Sequence, residues 1–140
     1  MVLSIRNRFA GTVSDIVTGS VMGTVAISIP GGQTLTATVT MDAIKDLGVS
    51  IGDTVEALIK STDISVATSA TGGLSIRNKL QGTLVDVDSG GAMSVARIAL
   101  AEGTEITAAI TRAAAEELEL RPGLPVTALI KSTEVSFSAA

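Results

Sequence analysis

No cysteine, histidine, tryptophan or tyrosine occurs in the sequence. Without cysteine there is no disulfide framework and no thiolate metal site. Without histidine the commonest general base, metal ligand and neutral-pH switch disappear together. The only aromatics are Phe9 and Phe137, which leaves few platforms on which nucleic-acid bases could stack. The formal net charge of −4 also disfavours nonspecific binding to DNA or RNA. No stretch approaches the roughly 20 apolar residues that span a bilayer, and the first residues lack the segments of a secretory leader. The chain therefore reads as soluble and cytoplasmic, with no membrane partner. The pattern Gly-x-x-x-x-Gly-Lys-Ser/Thr is absent, which excludes a nucleotide-binding P-loop. No carboxylate pair recurs with an acid–base partner. The chain reads as a non-enzyme that holds no metal ion of its own.

What is present is a repeat. Leu3-Ser4-Ile5-Arg6-Asn7 returns as Leu74-Ser75-Ile76-Arg77-Asn78, an offset of 71 residues. The same offset aligns Lys60-Ser61-Thr62 with Lys131-Ser132-Thr133 without a gap. About 26 of roughly 66 aligned positions are identical, which marks a duplicated unit. The organisation expected is a first repeat over 1–68, a linker over 69–73 and a second repeat over 74–140. Units of this size bury a limited core. The apolar fraction is 46%, but it is made of Val, Ile, Leu and Ala, which offer little area per residue. Part of that surface is expected to be buried between subunits.

Within the first repeat, Leu3 to Ile16 reads as a strand with a kink or bulge near Gly11. Val21 to Ile29 and Gln33 to Thr40 alternate around the turn Pro30-Gly31-Gly32. The period then becomes helical through Ala43, Ile44 and Leu47, with Thr40 placed as N-cap and Gly48 as the stop. Val55 to Ile59 and Ile64 to Val66 read as further strands. The second repeat follows the same order, with Thr111 capping a helix from Arg112 to about Glu119. The fold class expected is mostly β: two small OB-like β-barrels in tandem, each with one short helix.

The repeated cations carry the functional signal. Of ten Lys and Arg residues, six stand at equivalent positions: Arg6 with Arg77, Arg8 with Lys79, and Lys60 with Lys131. Arg6 and Lys60 lie in apolar surroundings, Leu-Ser-Ile-Arg and Ala-Leu-Ile-Lys, and no acid recurs beside Arg6. A cation at the end of a buried strand wants an anion. The plainer alternative is local pairing of Lys60 with Asp63, and of Lys131 with Glu134. Hydroxyls flank the cations: Ser4, Ser61 and Thr62, repeated as Ser75, Ser132 and Thr133. Arginine, lysine and several neutral donors suit a compact tetrahedral oxyanion. The helices capped by Thr40 and Thr111 have Ala43 and Ala114 where a capping box needs Glu or Gln. Their first-turn N–H groups could serve an external anion or simple capping.

These motifs resemble a known family. Two units that each open with Ser-x-Arg-Asn and Gly-Thr, and that close on Ile-Lys-Ser-Thr-[Asp/Glu]-[Ile/Val], resemble the molybdenum-pterin-binding (Mop) repeat. The tandem arrangement is similar to the two-repeat molbindins, and the resemblance covers essentially the whole chain. It implies an OB-like protein that binds molybdate or tungstate, with sites between subunits of a homotrimer, for intracellular storage or homeostasis. The alternative it leaves open is an oxyanion-sensing regulatory module acting through a partner protein. Carried over residue by residue, it implies an oxyanion site of Ser4, Arg6, Thr40, Lys60 and Ser61 in the first repeat. In the second it implies Ser75, Arg77, Thr111, Lys131 and Ser132. The sequence departs from the family at Ile5 and Ile76, where alanine is usual, and at Ala43 and Ala114, where serine is frequent. It also has Gly19-Ser20-Val21-Met22 and Gly90-Gly91-Ala92-Met93 in place of Gly-Ala-Val-Asn, so no residue is assigned to a second class of anion sites.

Overall fold

The computed structural model describes residues 2–139. The first repeat supplies β1 (Asn7–Val17), β2 (Met22–Ser28), β3 (Thr34–Thr40), α1 (Met41–Leu47), β4 (Thr54–Ile59) and β5 (Ile64–Ala67). The second supplies β6 (Asn78–Ser89), β7 (Met93–Ala99), β8 (Glu105–Thr111), α2 (Arg112–Glu117), β9 (Pro125–Ile130) and β10 (Ser136–Ala139). Single 3-10 turns, Ser61–Asp63 and Ser132–Glu134, precede β5 and β10.

Two five-stranded antiparallel sheets result, ordered β10-β4-β1-β2-β3 and β5-β9-β6-β7-β8. The final strand of each repeat crosses over to the sheet of the other. β5 pairs with β9 (Ile64 opposite Ile130), and β10 pairs with β4 (Ser136 opposite Leu58). Each sheet coils until its outer strands face one another, β5 against β8 and β10 against β3. Among the described residues no ladder joins those edges, so the units are OB-like but open.

The coiling originates in the first strand of each repeat. The first half of β1 (Asn7–Thr12) pairs with β4 and its second half (Thr12–Val17) with β2. Gly11 sits where β2 crosses closely. A Cβ there would lie 2.5 Å from Ile27 Cγ2 and 2.8 Å from the carbonyl oxygen of Ser28. Gly82 is equally confined, by Ile98 and Ala99. The expected irregularity near Gly11 is found slightly further on, between Val13 and Asp15, and its counterpart lies between Leu84 and Asp86. Glycine permits the close crossing, and the bulge then adds the twist.

The core follows the period-two alternation of the strands. Phe9, Val13, Val25, Ile27, Leu35 and Ala37 in one repeat, and Leu80, Leu84, Ala96, Ile98, Ile106 and Ala108 in the other, join one buried cluster. Two boundaries differ from the sequence reading by more than one residue. β1 begins at Asn7 rather than Leu3, where its ladder to β4 starts opposite Ile59; ahead of it the Arg6 guanidinium donates back to the carbonyls of Ser4 (3.0 Å) and Leu3 (3.2 Å). α2 ends at Glu117 rather than about Glu119, since Leu118 is its C-cap and Glu119 turns into the left-handed region (φ 53°).

Candidate functional site

The two repeats are clasped by the asparagines of their opening motifs. Asn7 is 2% exposed; its Nδ2 donates to the Thr107 carbonyl (2.8 Å), and its Oδ1 accepts from the Thr107 N–H (2.7 Å). Asn78 does the same to Thr36, at 2.9 and 2.7 Å. A carboxamide has one donor and one acceptor side by side, so it can replace a backbone partner. Each asparagine therefore pairs with β3 or β8, the outer strand that its own sheet leaves unladdered on one side. This arrangement brings the start of one repeat against the third strand of the other.

The lysine-serine turns take part in the same junctions. Thr38 Oγ1 donates to Ser132 Oγ at 2.8 Å. Asn7 Nδ2 also lies 3.5 Å from Ser61 Oγ. Thr38 belongs to an outward-facing row on β3, with Thr36 and Thr40, whereas Leu35 and Ala37 point to the core. The corresponding row on β8 reads Thr107, Ala109, Thr111. At the strand ends Thr40 Oγ1 accepts from the Ala43 N–H, and Thr111 Oγ1 from the Ala114 N–H, each at 3.1 Å. The two threonines are N-caps, as read from the sequence.

The junctions thus set the lysine-serine turn of each repeat beside the third strand of the other, the strand that ends in that repeat's capping threonine. The turn that carries Ser61 packs on the strand that ends in Thr111, and the turn that carries Ser132 packs on the strand that ends in Thr40. Arg6 and Arg77 immediately precede the asparagines that clasp the same two strands. Ser4 and Ser75 are exposed just ahead of Arg6 and Arg77, and neither side chain contacts the turns through a hydrogen bond among the described residues. The crossing follows from the exchanged last strands, which no local pattern announces. Asn7, Asn78 and Thr38 were not among the candidate site residues. The signal for the asparagines was an amide kept twice at the start of an otherwise apolar strand.

Charge separates the repeated cations into two kinds. Arg8 is paired with Glu56 at 2.8 Å, and Lys79 donates to the Thr71 carbonyl at 2.8 Å; both have structural roles. Among the described residues Arg6, Arg77, Lys60 and Lys131 have no acidic partner within 4.0 Å. The local pairing of Lys60 with Asp63, and of Lys131 with Glu134, does not form. Lys131 does line a recess of about 190 Å³ with Thr62, Asp63 and Glu134, but outside ion-pair distance of both acids. Each group therefore includes one arginine, one lysine and a serine hydroxyl, with neither cation in an ion pair within 4.0 Å among the described residues. That donor set fits a dianionic oxyanion. No cluster of three or more acidic side chains that could hold a metal ion occurs among the described residues.

A model of the TOBE domain matches residues 3–66 and 74–137. The molybdenum transport protein ModE of Herbaspirillum seropedicae is 38% identical over 136 residues, covering 96% of this chain and 51% of ModE. The molybdenum-pterin-binding protein MopB of Rhodobacter capsulatus is 35% identical over 133 residues, covering 94% of this chain and 49% of MopB. The chain spans about half the length of these two relatives. Among solved structures, the cytoplasmic molybdate-binding protein ModG, crystallised with molybdate bound, superposes with a TM-score of 0.96 at 37% identity, covering 100% of both chains.

Proposed function

The chain belongs to the TOBE domain family over both of its repeats, and from that premise we propose that it is a molybdate-binding protein whose two cation–hydroxyl groups hold the oxyanion. One observation carries the oxyanion reading: of the six cations that recur in both repeats, Arg6, Lys60, Arg77 and Lys131 stand beside the recurring serines and have no acidic partner within 4.0 Å among the described residues. The identity of the ligand rests on the full-length similarity to ModG with molybdate bound and on the molybdenum-related relatives. Tungstate, nearly the same size and charge, fits the same donors.

The binding residues in this reading are Ser4, Arg6, Lys60, Ser61 and Thr111 in one group and Ser75, Arg77, Lys131, Ser132 and Thr40 in the other. They are completed between subunits of a homotrimer. Exposed apolar side chains at the β1–β2 turn (Val17, Val21 and Met22) and at Leu47 and Ile51 support burial by assembly. The role is intracellular binding and buffering of the anion, without catalysis. Among the described residues no helix is long and apolar enough to cross a membrane. A second reading, an oxyanion-sensing module that acts through a partner, is favoured by one fact: in ModE the matching region makes up only about half of the protein.

Calorimetric titration of molybdate into the parent protein, Arg77→Ala and Lys131→Ala tests the site. Each removal should weaken its site by roughly 2–5 kcal/mol, the usual cost of truncating one partner of a desolvated charged contact, while the fold survives. Unchanged binding in both variants would mean that these groups do not hold the anion. Light scattering that returned the 14.1 kDa monomer at micromolar concentration would remove the inter-subunit sites.

A further inference from the structure

We infer that the two oxyanion groups of one chain are unequal, and that Thr38 is the residue that makes them so. The inference rests on the molybdate reading above. It starts from a difference between the two junctions. On β3 the outward row is Thr36, Thr38, Thr40; on β8 it is Thr107, Ala109, Thr111. The flanking threonines have the same tasks in both: Thr36 and Thr107 receive the asparagine clasps, and Thr40 and Thr111 cap the helices. Of these three positions only the middle one differs, a hydroxyl in one junction and a methyl in the other.

That hydroxyl is directed at the lysine-serine turn. Thr38 Oγ1 donates to Ser132 Oγ at 2.8 Å in a part-buried setting. A serine hydroxyl has one proton and two acceptor lone pairs. With a lone pair of Ser132 occupied by Thr38, its own proton is turned away from Thr38 and remains available to an acceptor beside Lys131. The bond also polarises Ser132 and strengthens it as a donor. In the other junction Ala109 gives Ser61 no such partner. Ser61 has only the 3.5 Å approach of Asn7 Nδ2, whose stronger bond goes to the Thr107 carbonyl at 2.8 Å. The Ser61 hydroxyl is held by that longer contact and is less firmly oriented than Ser132, so it must be ordered further when the anion arrives. Thr38 touches no anion in this account; it is a positioning residue that acts through Ser132.

The Lys131–Ser132 group is accordingly the tighter of the two for molybdate, by about 3- to 10-fold, the size of one well-placed hydrogen bond. Equilibrium dialysis of the full-length protein against a molybdate series, with bound molybdenum read by elemental analysis, should give two classes of site. Thr38→Val keeps the shape and removes the donor; it should weaken the tighter class into the weaker one. Thr38→Ser restores the donor and should restore two classes. Ala109→Thr places the hydroxyl in the second junction and should draw the weaker class towards the tighter, a change that a purely structural role for Thr38 would not produce. Binding isotherms unaltered by both Thr38→Val and Ala109→Thr overturn this inference while leaving molybdate binding intact. A parent protein that retains no molybdenum at all overturns the molybdate reading and this inference with it.

Discussion

Asn78→Ala tests how the two repeats are held together. The side chain is 2% exposed and makes two hydrogen bonds across the junction, accepting from the Thr36 N–H at 2.7 Å and donating to its carbonyl at 2.9 Å. Alanine removes both bonds and leaves both backbone groups of Thr36 without a partner. Two ordinary hydrogen bonds contribute about 1–3 kcal/mol net, and an unsatisfied buried group costs roughly 1–3 kcal/mol in its own right. β3 lies at the edge of its sheet, so water can reach part of the gap. The estimate is thus a loss of about 2–5 kcal/mol, a large share of the stability of a domain this size. Urea denaturation followed by far-ultraviolet circular dichroism reads it as a lower midpoint. Because Asn78 spans the repeats, both halves should unfold in one shifted transition. Asn78→Asp sharpens the test. It keeps the acceptor for the Thr36 N–H but sets a carboxylate against the Thr36 carbonyl, so the folded state disfavours ionisation and raises the carboxyl's pKa above its unfolded value. The variant's stability should then increase as pH falls through that folded-state pKa, where the parent shows no matching gain. A loss below about 0.5 kcal/mol for Asn78→Ala, or two separate transitions in the parent, would refute the clasp; the threshold is the scatter of ordinary surface substitutions.

Other substitutions follow from comparing one repeat with its copy. Glu119 adopts φ 53° where the first repeat has Gly48 at φ 62°, so Glu119→Gly should relieve strain and raise stability by about 0.5–1 kcal/mol; a lower thermal midpoint would contradict this. Gly82→Ala would place a Cβ 2.6 Å from Ile98 Cγ2 and 2.7 Å from the Ala99 carbonyl oxygen. It should cost roughly 1–3 kcal/mol by overpacking, and a denaturation midpoint equal to the parent's would show that β7 can give way freely. Completing a capping box with Ala114→Glu should be neutral or stabilising by about 0.5–1 kcal/mol without ligand. If Thr111 lies beside the bound dianion, the same change should weaken molybdate binding at that site by at least about a hundredfold, through like-charge repulsion of several kcal/mol at 4–5 Å. Molybdate binding equal to the parent's would leave Thr111 as a cap alone.

Much of this fold was legible in the sequence because its elements carry local signals. Thr40 and Thr111 announced two helix starts, Pro30-Gly31-Gly32 announced a hairpin, and the alternation in β2 and β3 gave the buried face. The exchange of β5 and β10 was not legible, since each final strand has the same alternation whichever sheet receives it. Pairing partners are settled by tertiary contacts, here Ile64 opposite Ile130 and Phe137 opposite Ala57. The junctions between the repeats depend on that exchange, so the sequence grouped the candidate residues by repeat, while the structure sets the serine of each lysine-serine turn against the third strand of the other repeat. Arg6 and Arg8 show the same limit. Both recur as cations, and only the structure separates Arg8, fixed on Glu56, from Arg6, turned back on its own backbone. Thr38 carries no signal in a strand rich in threonine; its role becomes visible only once Ser132 stands opposite it.

The central claim is that four cations outside any ion pair among the described residues, with their neighbouring hydroxyls, select molybdate. Dialysis of the purified protein against micromolar molybdate in the presence of a large excess of sulfate, followed by molybdenum analysis, tests it most directly. The account predicts that molybdenum is retained against sulfate and is lost from the affected sites in Arg77→Ala and Lys131→Ala. Protein that emerges free of molybdenum, or that exchanges it for sulfate in simple proportion to concentration, would contradict the account.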